Sequence, residues 1–266
     1  MALDDTNPYT GKGHGINMDI RNFRDMSGYK NRNGKVMKKN MIFRGGALNR
    51  MTREQADYFE NTLSIRHILD FRDEKEAEMA KDYPFPIAEY ERIGALRVRR
   101  PDNNGFSFKK IIKNGMQPSQ LSYILEYLKE GYKTMAFGNP AYQRLFSLLL
   151  ENSGNIYFHC TSGKDRTGVA GFLVMMAMDM EEEDAVKEYL LSNQYLKQET
   201  DNLVGQLNIS GEYKQMCESL LGVREDFIRL SIHSIQRKYA GYDEFFESEY
   251  GLDREKRNRL AEIYCE

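Results

Sequence analysis

Residues 155–180 read NIYFHCTSGKDRTGVAGFLVMMAMDM, and the architecture of the chain follows from them. A β-prone run, Ile156, Tyr157 and Phe158, leads into His159 and Cys160. A polar loop of five residues, Thr161 to Asp165, comes next, and Arg166, Thr167 and Gly168 then open a long apolar helix. The order is strand, loop, helix, with a cysteine at the mouth of the loop. A loop curled at a helix N-terminus directs several backbone N–H groups at one point, where the helix dipole adds positive potential, so the place suits a tetrahedral oxyanion such as phosphate. The backbone amides of Thr161, Ser162, Gly163, Lys164 and Asp165 would line it, and the forked guanidinium of Arg166 matches two phosphate oxygens. Cys160 lies in the same positive field, which favours thiolate over thiol and predicts a pKa of roughly 3.5–7.5 in place of about 8.5.

The chain has 266 residues and a formal net charge of −2. That length allows one sizeable core, and no Pro/Gly/Ser linker, repeat or low-complexity tract divides it. The expectation is a single domain over 21–266 behind a flexible polar arm over 1–20. The glycines at 11, 13 and 15 around His14 lack a following helix and are read as part of that arm. Near-neutral charge excludes general nucleic-acid binding and makes any attraction for anions local. With no N-terminal hydrophobic signal and no apolar run long enough to cross a bilayer, the expected compartment is the cytoplasm, export by another route remaining open. Three cysteines, Cys160, Cys217 and Cys265, are an odd number without metal-ligand spacing. They predict neither a disulfide scaffold nor a zinc site, and no cofactor or metal is expected. A buried cysteine closing a core strand would be the plainest role for Cys160. It leaves the cluster Gly163, Lys164, Asp165, Arg166 and Thr167 unexplained.

The string HCTSGKDRTG, residues 159–168, resembles the signature of the cysteine-dependent protein tyrosine phosphatases: Cys, any five residues, Arg, then Ser or Thr. Its form is similar to the bacterial tyrosine/serine phosphatase branch that also acts on phosphoinositides. NFRD at 22–25, FRGGAL at 43–48 and DFRDEKE at 70–76 are similar to other segments of that family, and the likeness runs from residue 22 to about 265. It implies an α/β fold, a small central sheet flanked by helices, with the phosphate loop between a central strand and a buried helix. It also places Arg44 near that loop. Arg44 then either faces the phosphate or pairs with a carboxylate that secures the loop.

Along the chain, Asn33-Gly34 marks a hairpin turn. Thr52 and Gln55 form a capping box for a helix ending near 63. Residues 64–71 read as a core strand, and Asp70, Arg72 and Glu76 as structural charges capping a helix over 73–81. Residues 95–100 read as a strand running into Pro101-Asp102, where the resemblance puts a mobile acid-bearing loop; an ordinary Asx turn is the other reading of Asp102. Helices are expected over 106–116 and 118–135, with Leu121, Ile124, Leu125, Leu128 and Tyr132 in one stripe. The stripe suits plain core, while the resemblance allows a lid over 106–135. Asn139-Pro140 starts the next helix with an N-cap and an N1 proline. Further helices are expected over 181–196 and 224–240, and a helical tail with Tyr242, Phe246 and Leu252 as anchors.

The chemistry that fits is hydrolysis of a phosphate monoester through a phosphocysteine intermediate, with Cys160 as nucleophile and Arg166 stabilising the transferred group. Thr167 is placed to donate a hydrogen bond to the Cys160 sulfur or to be satisfied locally in the helix start. His159, one strand position away, points to the opposite face and is expected to brace the loop. Two carboxylates compete for the general acid, Asp165 in the loop and Asp102 outside it. Lys164 is expected at the rim, where a second cation suits multiply phosphorylated ligands. The leading function is a protein tyrosine phosphatase whose substrates extend to phosphoserine, phosphothreonine or phosphoinositides. A phytase-like or other small-molecule phosphatase, and a non-catalytic phosphate-binding module, are the alternatives; retention of Cys160, Arg166 and Thr167 together argues against the last.

Overall fold

Strand β5, Asn155–His159, lies at the centre of the sheet and buries all of its side chains except the half-buried Asn155. The computed structural model describes residues 18–96, 118–206 and 209–266, with 118–121 as backbone alone. Among these, five strands form one sheet in the order β1-β2-β5-β3-β4. Strand β5 pairs in parallel with β2 (Ile42–Gly45) and β3 (Ile65–Asp70). The edges are β1 (Arg24–Asp25), antiparallel to β2, and β4 (Glu89–Arg92), parallel to β3. Successive strand side chains face opposite ways, so Ile156 and Phe158 join the larger apolar cluster while Tyr157 enters the smaller one on the other face. Burial on both faces is why the β5 sequence is nearly continuous in apolar residues.

Helix α1 (Arg53–Asn61) covers the Tyr157 face, started by the reciprocal Thr52–Gln55 capping box and burying Ala56 and Phe59. The Phe59 and Tyr157 rings meet edge to face at 5.2 Å. On the opposite face lie α4 (Pro140–Glu151), capped by Asn139, and α5 (Arg166–Ala177). Every residue of α5 is buried, each of its Leu, Val, Phe and Met side chains adding roughly 1.5–3 kcal/mol of burial. Helices α6 (Glu182–Tyr195), α9 (Glu225–Lys238), α10 (Tyr242–Tyr250) and α11 (Arg254–Tyr264) surround it. In the tail, Phe246 and Leu252 are buried as expected, with Tyr242 partly so.

Helix α3 (Pro118–Thr134) uses its stripe for packing: Ile124 joins Cys217 and Leu220 of α8 (Gly211–Leu221) in a satellite cluster, and Tyr132 is fully buried. Between α6 and α8 lies α7 (Lys197–Gly205). Among the described residues no helix is long and apolar enough to cross a membrane.

Three expectations change. The helix expected over 73–81 is the shorter α2 (Glu74–Met79), with Asp73 as its cap. The strand expected over 95–100 is absent at Ala95 and Leu96; the edge strand is β4, where no residue is buried and no apolar alternation exists to announce it. The polar arm does not extend to residue 20, because Met18 and Ile20 are buried with the cluster around α1. Residues 1–17, Asp102 and the helix expected over 106–116 lie outside the described residues.

Candidate active site

Register sets the site. Gly45 of β2 and Asp70 of β3 both lie level with His159, so three parallel strands end together and the loop 160–165 rises between the segments that follow β2 and β3. Such a strand edge is where open α/β sheets bind ligands. Gly163 has φ +67 and sits so close to Gly45 that a Cβ would fall 2.3 Å from its carbonyl, so no larger residue fits. Ala47 N donates to the Thr161 carbonyl at 3.3 Å. From α4, Tyr142 Oη donates to the Arg166 carbonyl at 2.7 Å and ties down the first residue of α5.

Cys160 is 2 % exposed at the end of β5. Burial alone would push its thiol up; the Arg166 charge and hydrogen bonds from the Thr167 side chain and backbone outweigh it, and the thiol is held below its ordinary value. Among the described residues the buried Thr167 hydroxyl meets no partner at full hydrogen-bond geometry, although it lies near enough to the sulfur to help hold the thiol down. Arg166 is 7 % exposed. Its guanidinium is forked onto Glu76 of α2, Nη1 to Oε2 at 2.6 Å and Nη2 to Oε1 at 2.9 Å, with Nη1 also 3.3 Å from the Phe71 carbonyl. Burial would weaken its hold on the proton; the Glu76 carboxylate reverses that and raises it well above the usual guanidinium range. Thr161 Oγ1 donates to Glu76 Oε1 at 3.0 Å.

Beneath the loop, His159 is fully buried on the face opposite Cys160, stacked on Tyr157 at 5.4 Å. Its Nδ1 lies 3.2 Å from the Cys160 carbonyl and its Nε2 3.2 Å from Asp82 Oδ2. Burial would lower its pKa; the charges of Asp70 and Asp82 outweigh this and raise it above the ordinary imidazole value. Asp70, Asp82 and His159 bring three potential metal-ligand atoms within 4.8 Å of one another. Arg72 already serves these carboxylates, Nη2 donating to Asp70 Oδ2 at 2.7 Å and to Asp82 Oδ2 at 2.6 Å, so the group reads as an ion-pair network.

Of the two readings of Arg44, pairing with a carboxylate that secures the loop is the one the structure shows, so Arg44 does not face the phosphate position. It is fully buried behind the loop, donating to Glu188 Oε2 at 2.5 Å and to the Gly163 carbonyl at 2.9 Å. Burial and neighbouring Arg24 lower its pKa to about 10, Glu188 acting against them, so it remains charged at neutral pH. Lys164 is not at an open rim either. Its ammonium is 2.6 Å from the Leu220 carbonyl and 2.8 Å from that of Gly222, at the C-terminal end of α8, where unpaired carbonyls attract a cation. Ser162 and Asp165 are half-buried and Thr161 exposed. Asp165 Oδ1 accepts from Tyr132 Oη at 2.8 Å, which holds the carboxylate at the base of α5.

Four residues that sequence reasoning did not assign to the site meet it here. Glu76 was legible only as a helix cap, and it does reciprocate Asp73 through the Asp73 N–H at 3.0 Å while gripping Arg166. Asn22 stands within the NFRD segment, and Glu188 directly precedes the string YLLSN at 189–193, inside the helix expected over 181–196, so those segments were the available signal. Asp82 had none.

Residues 17–266 match the sequence family described as "Tyrosine phosphatase family". Over 235 residues the chain is 24% identical to H16_A0669 of Cupriavidus necator, named as an inferred tyrosine-protein phosphatase, covering 88% of this chain and 83% of that one. It is 23% identical over 150 residues to the triple specificity protein phosphatase PtpB of Mycobacterium tuberculosis, covering 52% of this chain and 54% of that one. Among solved structures, the core catalytic domain of the PP-IP phosphatase SIW14 from S. cerevisiae gives a TM-score of 0.32 at 12% identity, covering 76% of this chain and 91% of that domain.

Proposed function

Since this chain belongs to the tyrosine phosphatase family, we propose that its hydrolysis of phosphate monoesters runs through Cys160 in two steps. The Cys160 thiolate attacks phosphorus; the bond to the ester oxygen breaks, and Asp165 or Asp102 delivers a proton to that leaving oxygen. Water then attacks the phosphocysteine, a carboxylate takes its proton, and inorganic phosphate and thiolate are released. Backbone amides of Thr161 through Arg166 and the Arg166 guanidinium carry the charge on the equatorial oxygens. Thr167 stabilises the departing thiolate in the second step.

The observation that carries this reading is positional: Cys160 is almost wholly buried at the end of β5 and opens the loop that leads into Arg166 at the start of α5, whose charge helps hold the thiol below its ordinary pKa. A buried thiol in apolar surroundings would move the other way. The test is hydrolysis of an aryl phosphate in the presence of a chelator by freshly reduced protein. Turnover that disappears in Cys160→Ser supports the mechanism; turnover undiminished in that variant removes it.

For substrates, phosphotyrosine peptides come first, extending to phosphoserine, phosphothreonine or phosphoinositides. The name of the triple specificity relative supports a broad range. A panel of phosphopeptides, inositol phosphates and phosphoinositides separates this from a phytase-like activity. The same proposal treats 18–266 as one phosphatase domain, supported by the unbroken family match over 17–266 and by the burial of Met18 and Ile20 in the core. A reducing, cytoplasmic setting suits a thiolate that oxidises readily.

A further inference from the structure

The NFRD, FRGG and YLLSN segments, distant in sequence, converge behind the phosphate loop. The Gly163 carbonyl accepts two side-chain hydrogen bonds there, from Arg44 Nη2 at 2.9 Å and Asn22 Nδ2 at 2.8 Å. Asn22 Nδ2 also lies 3.4 Å from the Ser162 carbonyl. Arg24 orients the carboxamide by donating to Asn22 Oδ1 at 2.5 Å, which turns its NH2 end toward the loop. Both arginines end on one carboxylate: Glu188 Oε1 is 2.7 Å from Arg24 Nε and Oε2 is 2.5 Å from Arg44 Nη1. Asn22, Arg24, Arg44 and Glu188 are all at most 3 % exposed. Helix α5 makes room for the cluster, since a Cβ on Gly171 would stand 2.7 Å from Arg44 Nη1.

We infer that Glu188 is a positioning residue for the phosphate cradle, acting through Arg44, Arg24 and Asn22 on the Gly163 carbonyl. In a planar trans peptide the C=O and the following N–H point in opposite directions. Holding the Gly163 carbonyl back therefore aims the Lys164 N–H forward to the phosphate position, and the weaker hold on the Ser162 carbonyl does the same for the Gly163 N–H. Glu188 supplies the counter-charge that lets two guanidiniums share this dry space; the pair and the carboxylate leave one net positive charge behind the loop. Buried donors fixed in advance are what a phosphoryl-transfer cradle requires, because they need no reorganisation as charge develops.

This inference rests on the proposed phosphatase reading, and its test separates the two. Arg44→Lys keeps the charge but cannot reach Glu188 and Gly163 together, and Asn22→Ala removes the other donor without changing charge. Each is compared with wild type and Glu188→Gln for kcat and KM on para-nitrophenyl phosphate, inhibition by inorganic phosphate, melting temperature, and the pH midpoint of iodoacetamide alkylation. Tyr264→Phe, which loses a hydrogen bond to the Leu149 carbonyl of α4 and none to the loop, is the control for lost stability.

Expected in Arg44→Lys and Asn22→Ala are a fall in kcat/KM and a weakening of phosphate inhibition of about 10- to 100-fold, less than deleting an oxyanion donor outright. The alkylation midpoint stays at the wild-type value, and Tyr264→Phe binds phosphate as wild type does. Wild-type kinetics in both variants overturn the inference, as does a raised alkylation midpoint that accounts for the loss, or equal weakening in Tyr264→Phe. Wild type that binds inorganic phosphate but hydrolyses nothing contradicts the phosphatase reading, and the clamp is then judged on phosphate affinity alone.

Discussion

Both carboxylate oxygens of Glu76 grip the Arg166 guanidinium, at 2.6 and 2.9 Å, with side chains only 11% and 9% exposed. A planar fork held this way has its orientation fixed before substrate arrives. Glu76→Ala takes from a nearly buried guanidinium its only bidentate carboxylate partner among the described residues and is expected to cost up to about 3–5 kcal/mol of stability. Glu76→Gln keeps one acceptor and loses less. In both, kcat/KM on an aryl phosphate falls by about tenfold or more, as Arg166 loses its alignment. Steady-state kinetics together with melting curves check the pair.

Lys164 makes the opposite prediction from a rim cation. Its two carbonyl partners lie at 2.6 and 2.8 Å at the end of α8. Lys164→Met is expected to lose about 1.5–3 kcal/mol of stability with little change in discrimination between singly and multiply phosphorylated inositols. A selective loss of the multiply phosphorylated ligands, without loss of stability, would instead put the ammonium at the substrate.

Asp165 is held through Tyr132 at 2.8 Å. If it is the acid, Asp165→Asn slows phosphoserine-type substrates, whose leaving oxygen needs a proton, by about 10²–10⁴-fold and barely affects an aryl phosphate with a good leaving group. Asp102→Asn is the counterpart. The same pattern in that variant alone assigns the acid to the segment after Pro101.

His159 yields a pH prediction. Asp70 and Asp82 raise its folded pKa above the ordinary imidazole value. A raised pKa contributes stability that is fully present below the unfolded value, near 6.5, and is lost as pH rises through the folded value. The melting-temperature difference between wild type and His159→Gln should therefore shrink as pH rises above neutral. A difference that grows over that range contradicts the charged imidazole. Cys160 has the reverse sign: its lowered pKa contributes stability above the unfolded thiol value that is lost on acidification through the folded one.

What was legible in the sequence follows local physics. The apolar run 156–158, the small residues of the loop, the helix apolar all round at 169–178, the Thr52–Gln55 box and the Asn139-Pro140 start each depend on near neighbours, and each stands where it was expected. What was missed depends on distant partners. Glu76 meets Arg166 across 90 positions and Glu188 meets Arg44 across 144, and no periodicity encodes either pairing. Lys164 looked like a surface cation because the helix end that buries it, at Leu220 and Gly222, lies 56 and 58 positions later. Edge strand β4 escaped because a strand with one pairing partner and no buried side chain carries no alternation.

The central claim is that phosphate passes through a covalent bond to sulfur, and it is tested most directly by rapid quench into alkaline denaturant, where a P–S bond survives, during turnover of an aryl phosphate. Mass spectrometry of the peptide bearing Cys160 should show one added phosphoryl group, absent in Cys160→Ser and accumulating when the second step is slowed. Full turnover with that peptide unmodified at every quench time, or the phosphoryl group on another residue, would contradict it.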